Sequence, residues 1–257
     1  MSLQQQEIKN LLDMRAPARM PPPASLSEEL NKLLDLKRST LPAESAPLFL
    51  SSAVEMWHRS IHSFIESVAL TKSSSLWASV VGYYASHYVV RAFAHLHGYY
   101  SLFRKGRIVE LTYSTGRFNM QLHGYVREHD YYWGVVGKIL QEPEFGENKE
   151  QKHRSYANYQ DHIDGFRKYE REDEYTIQSR IAALARNSIP GNLSDYPDVA
   201  GVQTMALHRI CRFRAYMDSV AGTKNRYWNA HKTPTFAASV MVYQMKPVDL
   251  RHATTRD

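Results

Sequence analysis

At 257 residues the chain is long enough for one generous domain or two small ones. Its 43% hydrophobic and 23% charged content excludes disordered and fibrous classes, and a formal net charge of +6 favours anionic partners. The lone cysteine, Cys211, excludes an internal disulfide framework and fits a reducing, cytoplasmic or nuclear setting.

No apolar run approaches the ~18–20 residues needed to cross a bilayer, so no membrane association is expected. The opening MSLQQQEIKNLL lacks the basic start and apolar core of a secretory signal. Residues 1–48 read as an N-terminal arm or linker that packs on the body or on a protein partner. Within it, a proline-rich break spans Arg15 to Ala24. Ser25 and the acidic residues after it then open a short helix through about Lys37.

The body, residues 49–257, starts with a helix near 51–70, where Val54, Trp57, Ile61, Phe64 and Val68 form one apolar stripe. A second helix, about 74–98, opens after a serine run and closes at Gly98. Its apolar face is Val81, Ala85, Val89, Ala92 and Leu96. From 107 to 123 the period shortens to two, and two alternating runs flank Ser114 to Arg117, as in a β-hairpin.

Helical patterning returns at about 128–141 and stops before Pro143; residues 143–170 are polar and carry no clear period. Two further helices follow at about 172–187 and 199–221, separated by Pro190 and Gly191. The second turns Ala206, Ile210, Phe213, Met217 and Val220 inward and ends at Gly222. Thr235 to Met245 reads as extended. The fold expected is mostly α: a helical bundle with an inserted β-hairpin, an N-terminal arm and a C-terminal extension.

The stretch Ser75 to Gly98 reads SLWASVVGYYASHYVVRAFAHLHG. Its Tyr-Tyr-Ala run, small and apolar continuation and closing glycine resemble the central helix of HEPN domains. The helix at 51–70 suits the first helix of such a bundle, and His153 to Tyr159, HRSYANY, is similar to a stretch late in these domains. The resemblance covers roughly residues 50–160. It implies metal-independent endoribonuclease activity of the toxin or antiviral-defence kind, carried out by a homodimer.

HEPN ribonucleases carry an arginine, then four to six intervening residues, then a histidine, usually with a polar residue straight after the arginine. Arg226 to His231 has that spacing, with Tyr227 in place of the polar residue. Arg91 to His97 matches as well, although it lies inside the central helix. Arg186 and Asn187 form the favoured first pair with no histidine behind them. Histidine suits base and acid roles because its ordinary pKa of ~6.5 permits either state near neutrality. Arginine suits the phosphorane through its fixed fork of donors. The other reading of each match is an arginine and a histidine in a polar loop.

Helical spacing also aligns Tyr84, His87, Arg91 and His95. With His58 and His62 they either line a phosphate cleft or form a hydrogen-bonded polar seam. On the 199–221 helix His208, Arg209, Arg212 and Arg214, followed by Lys224, form a candidate RNA-binding face through phosphate contacts; its alternative is an ordinary solvated face. Cys211, flanked by apolar residues, reads as a buried structural thiol. The seventeen tyrosines can stack on bases, though packing is their usual role.

No metal or cofactor is expected. Glu55 to His58 and Glu150 to His153 share the Glu-x-x-His spacing of carboxylate-bridged di-iron bundles, but no Asp or Glu lies between Glu66 and Glu110. His58 and His62 lack a third zinc ligand. No phosphate-binding glycine loop or Gly-x-Ser-x-Gly elbow occurs. Besides the ribonuclease, two readings stay open: a non-catalytic helical module that binds nucleic acid or protein through the basic helix, and a structural or scaffold assembly protein.

Overall fold

A computed structural model describes residues 24–71, 73–102, 107–114, 117–124, 127–146, 199–221 and 225–232. In chain order these form α1 (Ala24–Asp35), β1 (Thr40–Pro42), a 3-10 turn (Ala43–Ser45), α2 (Ala46–Leu70) and α3 (Ser75–Leu96). Then come β2 (Tyr99–Leu102), β3 (Arg107–Ser114), β4 (Arg117–His123), α4 (Glu128–Leu140), α5 (Pro143–Gly146), α6 (Val199–Ala221) and α7 (Arg226–His231). The described residues are mostly helical with one small antiparallel sheet. Lys224, Gly222, the helix expected at 172–187, the HRSYANY stretch and the extended segment from Thr235 lie outside the described residues.

Two compact units divide the chain. The first takes its described residues from 24–57, 90–146 and 213–232, and the second from 58–89 and 199–212.

In the first unit the expected hairpin is β3–β4, with Ile108 opposite His123 and Ser114 opposite Arg117. Two strands that sequence periodicity does not reveal flank it, giving the order β1-β4-β3-β2. β1 comes from the expected arm and pairs Leu41 with Phe118. It ends on Pro42, a residue that suits an edge because it has no N–H to donate. Residues 24–48 are thus built into this unit: Leu26, Leu30, Leu33 and Leu41 are buried with Val109, Leu111 and Phe118 in one core.

α2 begins at Ala46, ahead of the expected residue 51, with Pro47 in its first turn. A proline is tolerated there because the first helical N–H groups have no intrahelical acceptor. α3 ends at Leu96, and Gly98 takes φ +86 in the turn to β2. A β-carbon at Gly98 would lie 2.4 Å from the Leu111 carbonyl oxygen, and Gly98 itself accepts a 2.9 Å hydrogen bond from Leu111 N. Only glycine fits this closure.

A second aromatic core in the first unit surrounds Phe93, whose ring lies 5.0 Å from Phe213, 5.2 Å from Phe145 and 5.4 Å from Tyr216. Trp57 and Trp228 add to it, 5.3 Å apart.

The second unit is tied by amide and hydroxyl groups. Gln203 Nε2 donates to Ser67 Oγ at 3.0 Å and Thr71 Oγ1 at 2.9 Å, while Ser67 Oγ donates to the Ala78 carbonyl at 2.6 Å. Gly82 permits this approach, since a β-carbon there would meet Ser67 Oγ and Val202 Cγ1 at 3.0 Å.

Candidate functional site

α7 carries Arg226 and His231. Asn225 starts the helix by accepting the Trp228 N–H at 2.9 Å on its side-chain oxygen. Trp228 is buried and donates Nε1–H to Asp218 at 2.7 Å, which fixes the helix to α6. Arg226 is exposed and His231 half-exposed. The Tyr227 ring stands edge-on to His231 at 4.3 Å, the contact expected at i, i+4. Partial burial lowers the His231 pKa below its ordinary value, so the ring is neutral at neutral pH and able to accept a proton. At about 100° per residue, Arg226 and His231 leave their helix about 140° apart.

Arg91 and His97 have separate partners. Arg91 Nη1 lies 3.4 Å from Glu128 Oε1, and its guanidinium sits 5.6 Å from the Tyr132 ring centroid. His97 Nε2 pairs with the Tyr216 hydroxyl at 3.0 Å, and burial lowers its pKa to about 4. The first residue faces α4 and the second α6, so the six-residue spacing does not bring them to a common partner.

Among the expected RNA-binding residues, Arg209 needs correction. It is 1% exposed and donates Nη1–H to Ser86 Oγ at 3.0 Å, so it serves the interior and not a phosphate-facing surface. The inward stripe of α6 is wider than five apolar residues and includes this position. His208, Arg212 and Arg214 are half-buried. Cys211, expected to be buried, is half-buried too.

The expected polar face of α3 also resolves differently. His87 and His95 are buried at 3% and 1%, and the accessible line of the helix is Trp77, Val81, Tyr84, Tyr88 and Arg91. Within the second unit His87 stacks on Tyr83 at 6.1 Å, and on α2 the exposed His62 lies 3.4 Å from Glu66. In the first unit His95 Nδ1 pairs with Ser52 Oγ at 2.9 Å, and Nε2 faces the Tyr132 hydroxyl at 3.5 Å. That hydroxyl accepts the Ser101 N–H at 2.7 Å. Desolvation, then the Arg91 charge, holds the His95 pKa well below its ordinary value. For this pair the polar-seam alternative is the one observed.

Sequence reasoning passed over a second cluster in the first unit, on the sheet face away from the leucine core. Tyr99 on β2 sits opposite Glu110 on β3, and His123 lies diagonally across on β4. Glu110 Oε2 lies 2.8 Å from His123 Nε2, and Oε1 accepts from the Tyr99 hydroxyl at 3.1 Å. From α4, the Tyr131 ring centroid comes within 6.0 Å of His123 and 6.3 Å of Tyr99. The available signal was strand alternation, which puts Glu110 and His123 on the hairpin face opposite Val109 and Leu111.

No protein-family model, curated protein or solved structure matches the chain. Among the described residues, no helix is long and apolar enough to cross a membrane.

Proposed function

We propose that this protein is a HEPN-like endoribonuclease that cleaves RNA without a metal ion, with His231 as proton acceptor and Arg226 as phosphate clamp. The observation that carries the reading is an accessible, partly desolvated, neutral imidazole on the same short helix as an exposed guanidinium. His231 removes the 2′-hydroxyl proton, the 2′-oxygen attacks phosphorus, and the P–O5′ bond breaks as the 5′-oxygen takes a proton from solvent water. Arg226 neutralises charge on the phosphorane. The products are a 2′,3′-cyclic phosphate and a 5′-hydroxyl.

The divergence of about 140° between the two side chains argues that one helix does not engage both on one phosphate. A homodimer, as the family resemblance implies, supplies Arg226 from one copy and His231 from the other. A toxin or antiviral effector is the role such an activity suits. The test is an end-group analysis of RNA cut in EDTA: cyclic phosphate termini support this chemistry, and 5′-phosphate termini refute it. Mixing Arg226→Ala with His231→Ala protein restores part of the activity if the site is shared between copies.

A second reading is favoured by the same divergence: the chain binds RNA and does not cut it, using the half-buried His208, Arg212 and Arg214 with Lys224. Affinity that falls steeply with salt, without turnover, distinguishes it. A scaffold role would show self-association and neither property.

A further inference from the structure

We propose that Tyr227 is a positioning residue for the nuclease site, holding the His231 imidazole in the orientation from which it takes the 2′-hydroxyl proton. The inference rests on the reading of His231 as proton acceptor and adds the group that aims it.

A general base works only with its accepting nitrogen within ~2.6–3.2 Å of the group it deprotonates. A half-exposed histidine meets that demand poorly by itself, because its ring rotates broadly about the second side-chain torsion. Tyr227 restricts that rotation. Side chains on a helix lean toward its N-terminus, so the residue at i+4 lies back over the residue at i. The Tyr227 and His231 ring centroids are 4.3 Å apart with their planes at 81°. At that separation one ring cannot turn without meeting the other.

Tyr227 is itself held in place. Its neighbour Trp228 is buried and bonded to Asp218, and Asn225 caps the start of α7. The Tyr227 hydroxyl reaches α2, 3.5 Å from Ser51 Oγ, and Ser51 is itself buried. Burial raises the hydroxyl pKa, the Ser51 bond opposes the rise, and Glu55, one turn along α2, adds to it. The phenol is therefore neutral beside the imidazole. Such a ring fixes the direction of His231 without supplying a negative charge that would hold a proton on it. Partial burial of His231 agrees, since its pKa is lowered.

The test uses two readouts on the full chain. In protein with labelled histidines, the His231 signals are assigned by their loss in His231→Ala. Its carbon-bound ring protons should carry a ring-current shift from Tyr227. Tyr227→Leu keeps apolar bulk on a helix that Trp228 and Asn225 still anchor, and should move those signals. Tyr227→Phe should leave them in place. With RNA as substrate, Tyr227→Leu should lower kcat about tenfold or more at nearly unchanged KM, as a misaimed base does. Tyr227→Phe should restore kcat, because the ring and not the long Ser51 contact does the aiming.

His231 signals that stay put in Tyr227→Leu overturn the proposal whatever the activity. Signals that move while kcat stays at the wild-type value overturn it too. Intact RNA with the wild-type protein overturns the nuclease reading itself, and the proton signals then decide the Tyr227–His231 contact separately.

Discussion

Ser52 Oγ and His95 Nδ1 meet at 2.9 Å inside the first unit, with both residues almost wholly removed from solvent. The pair has the composition of a nucleophile and its base, but its burial gives it a different role. It is part of a polar seam joining α2, α3, β2 and α4 through Tyr132 and the Ser101 amide. A buried network of this kind is costly when one member is removed, because its partners stay desolvated.

Tyr132→Phe is the cleanest probe of that seam. It keeps the ring, which packs beside His95 at 5.9 Å, and deletes the hydroxyl that accepts from Ser101 N and faces His95 Nε2. An unsatisfied buried donor costs ~1–3 kcal/mol. Urea denaturation should show a loss in that range at unchanged m-value, and no loss would mean that the Ser101 amide finds another acceptor.

Acid should weaken the first unit through His95 and His97. Burial holds the His97 pKa at about 4 and His95 well below its ordinary 6.5. Once unfolded, both rings bind protons near pH 6.5. Between that pH and the folded pKa values the unfolded state holds more protons, so stability falls as pH drops and is complete above 6.5. His97 alone is worth on the order of 3 kcal/mol across that window. Denaturation midpoints at pH 7.5 and 4.5 check this, and equal midpoints would contradict it.

Gly98→Ala should destabilise the α3–β2 turn. A positive φ in a non-glycine residue costs ~1–3 kcal/mol, and the added carbon meets the Leu111 carbonyl oxygen at 2.4 Å. Since that atom is backbone, the strand must shift to relieve the contact. The melting temperature should drop by several degrees.

Arginine positions along α6 should separate stability from binding. Arg209→Gln loses the Ser86 hydrogen bond and lowers the melting temperature, leaving the salt dependence of RNA affinity unchanged. Arg212→Gln should leave stability nearly intact and reduce the slope of log affinity against log salt by about 0.7–0.9, the loss of one phosphate contact. Equal effects on slope from both would refute the separation.

Legibility followed the length of each pattern. α6 spans Val199–Ala221 as its periodicity implies, and the hairpin turns where Ser114 and Arg117 suggest. β1 and β2, with three and four residues, are too short for alternation to register. The polar residues of α3 misled for another reason. This helix is apolar around most of its circumference, and such a helix is enclosed, so His87 and His95 are interior groups despite their polarity. Arg209 misled likewise, because a long side chain can satisfy a buried hydroxyl as readily as a phosphate. Glu110 and His123 were visible only as alternating strand positions; their convergence with Tyr99 depends on the unseen strand β2.

The most direct test of the proposed activity is a time course of purified protein with mixed cellular RNA in EDTA, run beside His231→Ala. The account predicts discrete cleavage by the wild-type protein and at least a hundredfold loss in the variant, the low end of what a positioned general base contributes. Cleavage at an equal rate by the His231→Ala protein would contradict it.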